Sequence, residues 1–410
     1  MTALNAALDI KIDEVSASRV YLGATEVWSG TSAVWTPADL FAQGQQGVWY
    51  EPKPEYLFQD EGGTVPVTAD GDPVGSMLDL SRGLELGPNL METFDLTTFD
   101  QPFRVQDFTA DSFTVEDGST DAGVIGRQGE FGKRYTATIH YTRLSPGGDI
   151  TLVVGSAAPA DGVRVPMEET GTLTLTRNCT AADNTTLIIA LFGEGASVRI
   201  DSIELREVAG NHATQSTSAA RPTYRTDGTL HWLQFDGSDD LLEFDATFLR
   251  GRSHMLSAIA HGGYSGSATR YSVSSRQTGD TILFGYRFAG SSREIRARRI
   301  QADSQTNLTL PSGLDRYSNV AFSDYQAGKL RAWQDGDYVG EANYGSTGLS
   351  SDQHSAGQIG ALNSNFNFNG KVWAVLYTVD APEHEGEVDD ISAYFTELAG
   401  GWRMSTGSNV

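Results

Sequence analysis

A chain of 410 residues is long enough for two or three domains that each close a core. Its 29 Lys and Arg stand against 53 Asp and Glu, a formal charge of −24 that excludes the basic footprint of a nucleic-acid binder. A single cysteine, Cys179, excludes an internal disulfide framework, and 45 glycines with only 20% charged residues read as an all-β chain with many turns.

In chain order, "MTALNAALDIKIDEV" has no basic segment followed by a long apolar run, so no signal peptide is expected. No run of 18 apolar residues occurs either, so no membrane insertion is expected. Residues 1–35 alternate in "LDIKIDEV" and "SRVYLGATEVW", which predicts short strands and a turn at Leu22-Gly23. So small a unit cannot bury a core alone, and it is read as a segment for attachment or oligomerisation. Residues 36–83 are loop-rich, with one short helix predicted from Pro37 behind Thr36 as N-cap.

Residues 84–208 form a block of alternating strands, among them "RYTATIHYTRLS", "DITLVVGSA", "TTLIIALFG" and "ASVRIDSIELREV", at the regular spacing of a β-sandwich. The flanking stretches "GDPVGSMLDLSRG" and "VAGNHATQSTSAARPTYR" read as two halves of one sentence. The block is therefore predicted to be inserted at an exposed loop of a second sandwich. From residue 209 to 410 strands return, and the chain ends in a helix opened at Asp380 or Pro382 and stopped at Gly400. Val388, Ile391, Tyr394, Phe395 and Leu398 would form its apolar face.

The order "LQFDGSDDLLEF", "GKLRAWQDGDYVGE" and "GQIGALNSNFNFNGKVWAVLYTV" followed by the helix resembles the concanavalin A-like/laminin-G family in its phage-type form. The block from "GPNLMETFD" to "VRIDSIELREV" looks like a carbohydrate-binding-module jelly roll, and "SRVYLGATEVW" resembles attachment segments of phage and gene transfer agent appendages. The resemblance implies two β-sandwich jelly rolls, one inside the other, on a tail fibre or head spike. It implies a lectin-like role toward bacterial surface polysaccharide or capsule, contact with other particle proteins through residues 1–35, and a homo-oligomer. The protein would lie on the particle surface, extracellular after release.

The residues themselves point to a sugar site. In "SREIRARRIQA", Arg296 and Arg298 share one strand face while Ile295 and Ala297 take the other, a cationic island suited to an acidic sugar or to a solvated face balanced by acids. Tyr264, Tyr271 and Tyr286 are candidate stacking rings with Trp232 and Trp333 behind them, whereas Phe235 and Tyr377 read as core. In "NSNFNFNG", Asn363, Asn365 and Asn367 alternate and would line an edge with amides. His140, His231 and His261 fall in strand patterns as packed or surface residues, without ligand spacing. The turns "DGSDD" (Asp236–Asp240) and "QDGDY" admit a structural calcium or a plain tight turn; no other cofactor is expected.

No catalytic residue is assigned. The nearest match to the E-x-D-x-x-E pattern of glycan hydrolases is "EVDDIS", which lacks its second Glu and falls on the predicted helix. The first expectation is thus a non-catalytic adhesion protein. A polysaccharide depolymerase and a structural decoration protein without ligand are the alternatives.

Overall fold

A computed structural model describes residues 35–400 except 100–101, 127–129, 157, 181–186, 265, 278–280, 312–315 and 364–365. Toward the N-terminus it describes the backbone of four short strands only. Lys11–Ile12 pairs with Val15–Ser16, and Arg19–Leu22 pairs with Thr25–Ser29, the second hairpin bracketing the expected turn after Leu22.

The described residues are mainly strands in antiparallel sheets, and the fold is all-β. Strands between Val105 and Val208 make a smaller sandwich. Its four-stranded sheet runs Asp121–Gly126, Leu187–Phe192, Asp149–Val154, Val163–Pro166; its five-stranded sheet is centred on Arg134–Arg143 and Ser197–Val208. Period-two alternation puts Val124, Leu152 and Ile189 of one sheet against Ala137, Ile139, Ile203 and Leu205 of the other. All are buried, and each Val, Leu or Ile side chain among them is worth about 1.5–3 kcal/mol.

The larger sandwich has a nine-stranded sheet in the order Thr306–Leu310, Ser292–Ala297, Ile282–Ala289, Thr269–Gln277, His354–Ile359, Leu242–Asp245, Ala213–Thr214, Ser76–Met77, Leu57–Phe58. The eight-stranded sheet opposite is built around Asn369–Val379, which pairs with His231–Asp236, His254–Gly262 and Gly47–Tyr50. That strand is a continuous apolar run because both of its faces are covered. Val375 and Tyr377 enter the core between the sheets, while Trp373 and Leu376 meet the terminal helix Val388–Leu398 through Ile391 and Phe395. A 3₁₀ turn, Pro382–Glu387, leads into this helix. The early helix is also a single 3₁₀ turn, Pro37–Phe41, with Asp39 accepting the Thr36 N–H at 2.7 Å.

Sequence-distant halves meet beside the smaller sandwich. Thr214 pairs with Ser76 and Ala213 with Met77, while Leu86 bridges Val208 and the Gly87 N–H bonds the Glu207 carbonyl at 2.8 Å. The two sandwiches are also bonded to each other. Arg134, 4% exposed, donates to Asn178 Oδ1 at 2.9 Å and to the Gly63 carbonyl at 3.1 Å, with its guanidinium 4.7 Å from the centre of the Phe58 ring. Asn178 Nδ2 in turn donates to the Glu61 carbonyl at 2.7 Å and to Ser76 Oγ at 3.0 Å. Gly63, at φ +65°, is needed here: a Cβ would stand 2.2 Å from Arg134 Nη1.

Candidate functional site

The strand Ser292–Ala297 sets the site by alternation. Ile295 and Ala297 enter the core, so Glu294 and Arg296 face outward. Register then draws an outward row across the sheet: Thr214, Glu243, Gln358, Ser274, Gly285, Arg296, Asn307. A parallel row carries Tyr271, Arg287, Glu294 and Thr309.

Glu294 Oε2 accepts from Arg296 Nε at 3.1 Å and from Arg287 Nη1 at 3.0 Å, so one carboxylate serves two guanidinium groups. Burial opposes its ionisation, but the Arg296 hydrogen bond and the two positive charges outweigh that and hold the carboxyl below its usual range. Arg298 lies one residue past the strand end, its backbone N–H bonded to the Leu283 carbonyl at 2.8 Å. Its guanidinium has no hydrogen-bond or ion-pair partner among the described residues, and its Nε is buried. Arg296 and Arg298 therefore lie about 7 Å apart along the chain, and the Glu294 carboxylate sits between Arg287 and Arg296.

Tyr271 joins this group without offering a ring face. It is 2% exposed, closes over Gly285 with Ile282, and packs against Leu362 and Phe366, with the positive charge of Arg296 near its hydroxyl. Tyr286 is a correction. It points into the sandwich at 1% exposure, its hydroxyl against Ser257 Oγ at 3.1 Å, because it pairs with Ile295 on the core row. Desolvation pushes its phenol well up.

The Asn edge is also corrected. After the strand His354–Ile359, Asn363 at φ +51° turns the chain back over the sheet, with its N–H on Gln358 Oε1 at 2.6 Å. Ser274 Oγ reaches the Ala361 carbonyl at 2.7 Å, so this loop roofs the middle of the outward face. Asn363 and Asn367 are buried at 7% and 3%; Asn367 bridges Tyr271 and donates to the Ser238 carbonyl. Asn365 lies outside the described residues.

Other aromatic candidates are committed elsewhere. Tyr264 packs between Phe288 and Phe368, and its hydroxyl bonds the Ala268 carbonyl at 2.5 Å. Trp232, under Lys371, and Trp333 pack against the outer cluster of the eight-stranded sheet, away from Tyr271. Phe235 and Tyr377 are core. His261 is buried, its Nε2 accepting from Asn319 at 2.7 Å, so Nδ1 donates to Ser272 Oγ at 2.6 Å. His231 accepts from the Tyr224 hydroxyl at 2.7 Å, and exposed His140 meets Thr172 Oγ1 at 2.7 Å.

The carboxylates of Asp236, Asp239 and Asp240 fall within 4.8 Å of one another, a donor set of the type that suits calcium. Two are engaged by their own turn: Asp240 accepts the Asp236 N–H at 2.9 Å, and Asp236 accepts the Ser238 N–H at 2.7 Å. In "QDGDY", Asp335 and Gly336 take positive φ in a hairpin turn, and Asp335 accepts the Ser318 N–H at 2.8 Å. Glu387 ends a 3₁₀ turn while Asp389 and Asp390 open the following helix, so these carboxylates do not line up on one strand. No helix among the described residues is long and apolar enough to cross a membrane.

No family model matches the chain, and no curated protein matches its sequence. Among solved structures it overlaps a Trypanosoma rangeli sialidase in complex with 2,3-difluoro-KDN at 12% identity and TM-score 0.34, covering 48% of this chain and 31% of that one. It overlaps the Ruminococcus gnavus IT-sialidase CBM40 bound to α2,3-sialyllactose at 11% and 0.30, covering 36% and 88%. It overlaps the heptameric SAP-like pentraxin of Limulus polyphemus at 12% and 0.31, covering 40% and 80%. Overlaps with scores this low bear on neither the ligand nor the activity of this chain.

Proposed function

We propose that the protein is a non-catalytic, glycan-binding adhesin that recognises an acidic polysaccharide at Arg296 and Arg298. The carrying observation is the outward arginine pair Arg287 and Arg296, which shares the single carboxylate of Glu294, with Arg298, unpartnered among the described residues, two residues further along the chain. In a chain of charge −24, a local excess of guanidinium is a site that favours carboxylate or sulfate, which it can hold through paired N–H donors. Asn307 and Thr309, exposed on the neighbouring strand, supply groups for sugar hydroxyls.

The setting of this adhesin is a phage-like particle, as tail fibre or head spike, with residues 1–35 as attachment segment and several copies per particle. This part rests on the sequence resemblance. Multiple copies compensate for weak single sites, since later contacts form at high local concentration.

The test is an array of acidic polysaccharides probed with wild type and the Arg296→Ala, Arg298→Ala double variant, with reducing-end release assayed in parallel. Wild-type binding that the variant loses, without released product, is the expected result. Released product would point instead to a depolymerase, and the absence of any binding to a decoration protein.

A further inference from the structure

A second, separate feature lies where the two sandwiches meet. A cavity of about 460 Å³ is lined from the smaller sandwich by Phe131 and Lys133 and from the larger by Asn211, Glu243, Asp245 and Phe248. An adjoining cavity of about 520 Å³ shares Lys133 and Asn211 and extends to Arg82. Phe131 is 61% exposed, unusual for a large apolar ring.

The turn that carries the ring is held in place. The Lys133 N–H bonds the Glu130 carbonyl at 3.2 Å, making Glu130–Lys133 a β-turn with Phe131 second and Gly132 third. Gly132 takes φ +81°, the value a type II turn demands at that position, and its N–H is fixed to the Cys179 carbonyl at 2.8 Å. Opposite, Asn211 is clamped to Asp245 in both directions: Nδ2 donates to its carbonyl at 2.6 Å and Oδ1 accepts its N–H at 3.0 Å. Glu243 is exposed; Oε1 receives Gln358 at 2.6 Å and lies 3.5 Å from the Arg276 guanidinium, which leaves Oε2 toward the cleft. Asp245 spends its carboxylate on its own turn, accepting the Thr247 N–H at 2.8 Å and the Thr247 hydroxyl at 2.7 Å, which leaves Glu243 as the acceptor of the cleft. An open ring across from such a carboxylate is the chemistry of a pyranose subsite: the apolar sugar face stacks, and a hydroxyl group donates to Glu243.

We propose that this inter-sandwich cleft is a second saccharide subsite, with Phe131 as its stacking platform. It rests on the reading of the protein as a glycan binder, but uses none of the residues of the arginine site. Glu243 and Arg296 share one outward row four strand spacings apart, about 19 Å, with Ala361 over Ser274 between them. One polysaccharide chain can therefore engage both subsites, whereas a trisaccharide occupies one. The protein selects long chains by tethering.

The experiment compares binding of each array polysaccharide as polymer and as its trisaccharide, for wild type, Phe131→Ala, Phe131→Trp and the double arginine variant. Phe131→Ala is expected to lower the ratio of polymer to trisaccharide affinity about tenfold, and Phe131→Trp to keep it. An unchanged ratio in Phe131→Ala, with binding lost in the arginine variant, overturns the second subsite and leaves the first reading standing. Loss through Phe131→Ala with the arginine variant unaffected overturns the first and keeps the cleft. No glycan binding by wild type overturns both.

Discussion

Asp79 Oδ2 accepts the backbone N–H of Asn211 at 2.8 Å, across 132 positions of sequence. The same carboxylate accepts from the Trp49 and Ser81 N–H groups and from Ser81 Oγ, each at 2.9 Å, while the Asp79 N–H donates to His212 Nδ1 at 3.0 Å. Burial raises this carboxyl above its ordinary value, and the four hydrogen bonds oppose the rise.

Asp79→Ala would leave three backbone donors unsatisfied in a buried place, where each costs about 1–3 kcal/mol. A loss of at least about 3 kcal/mol is expected, read as a lower urea midpoint with unchanged slope. A midpoint equal to wild type would show that water replaces the carboxylate without cost.

The smaller sandwich owns its core, from Met91 to Leu205. Fragment 84–208 alone, and the chain with 85–208 replaced by a short Gly/Ser linker from Gly83 to Gly210, are each expected to melt in one cooperative step. Aggregation of both would mean that the Arg134 contact holds the sandwiches up rather than together. Arg134→Ala in the full chain should cost about 2 kcal/mol, since Asn178 and Gly63 each lose a charge-assisted partner.

Acid should weaken the fold through three buried histidines. Desolvation holds His212, His261 and His354 down at about 3, against 6.5 when unfolded. Between those values the unfolded chain takes up protons that the folded chain refuses, so stability is lost as pH falls below about 6.5. Each contributes a slope of about 1.4 kcal/mol per pH unit while the mismatch lasts. Calorimetry from pH 7 to 4 should show a falling Tm, less steep in His261→Gln; identical profiles would exclude His261 from the effect.

Asp240 acts in the opposite sense. Burial pushes its carboxyl up to about 7, with the Asp236 and Asp239 charges adding and the Asp236 N–H opposing. Its neutral form favours folding below the unfolded value of 3.8, and that contribution is lost as pH rises through 7. In chelator, Asp240→Asn should therefore melt above wild type at pH 8 and level with it near pH 4. Added calcium that raises only the wild-type Tm at pH 8 would establish ion binding by the three carboxylates; equal melting at pH 8 in chelator would remove the strain on Asp240.

Alternation made the strand around Ile295 readable, and with it the outward placement of Arg296, because a period of two is a property of one segment alone. Tyr286 is legible in the same way, since Phe284, Tyr286 and Phe288 alternate with Gly285 and Arg287 and so share the core face. Tyr271 is not, because the bulge between Tyr271 and Val273 puts it on the outward row while Val273 enters the core. The Asn run misled because its alternation is that of a strand, yet Asn363 adopts a left-handed turn that buries it. Phe131 carried a local signal in "EFGK", the glycine of a tight turn, but nothing local says that the turn faces Asn211 of the other sandwich.

The bond between Gly87 and Glu207, with the Asp79–Asn211 bond beside it, also fixes how the molecule would carry mechanical load. Tension arriving along the backbone at Gly83 can cross to Gly210 through these bonds, loading only the end of the smaller sandwich's strand Ser197–Val208. The rest of that sandwich stays slack until they shear, and its strands then pay out as reserve length. An optical-trap extension should show two rips, with the smaller sandwich's length released second to rupture of the seam; release of that length first would place the load path through it.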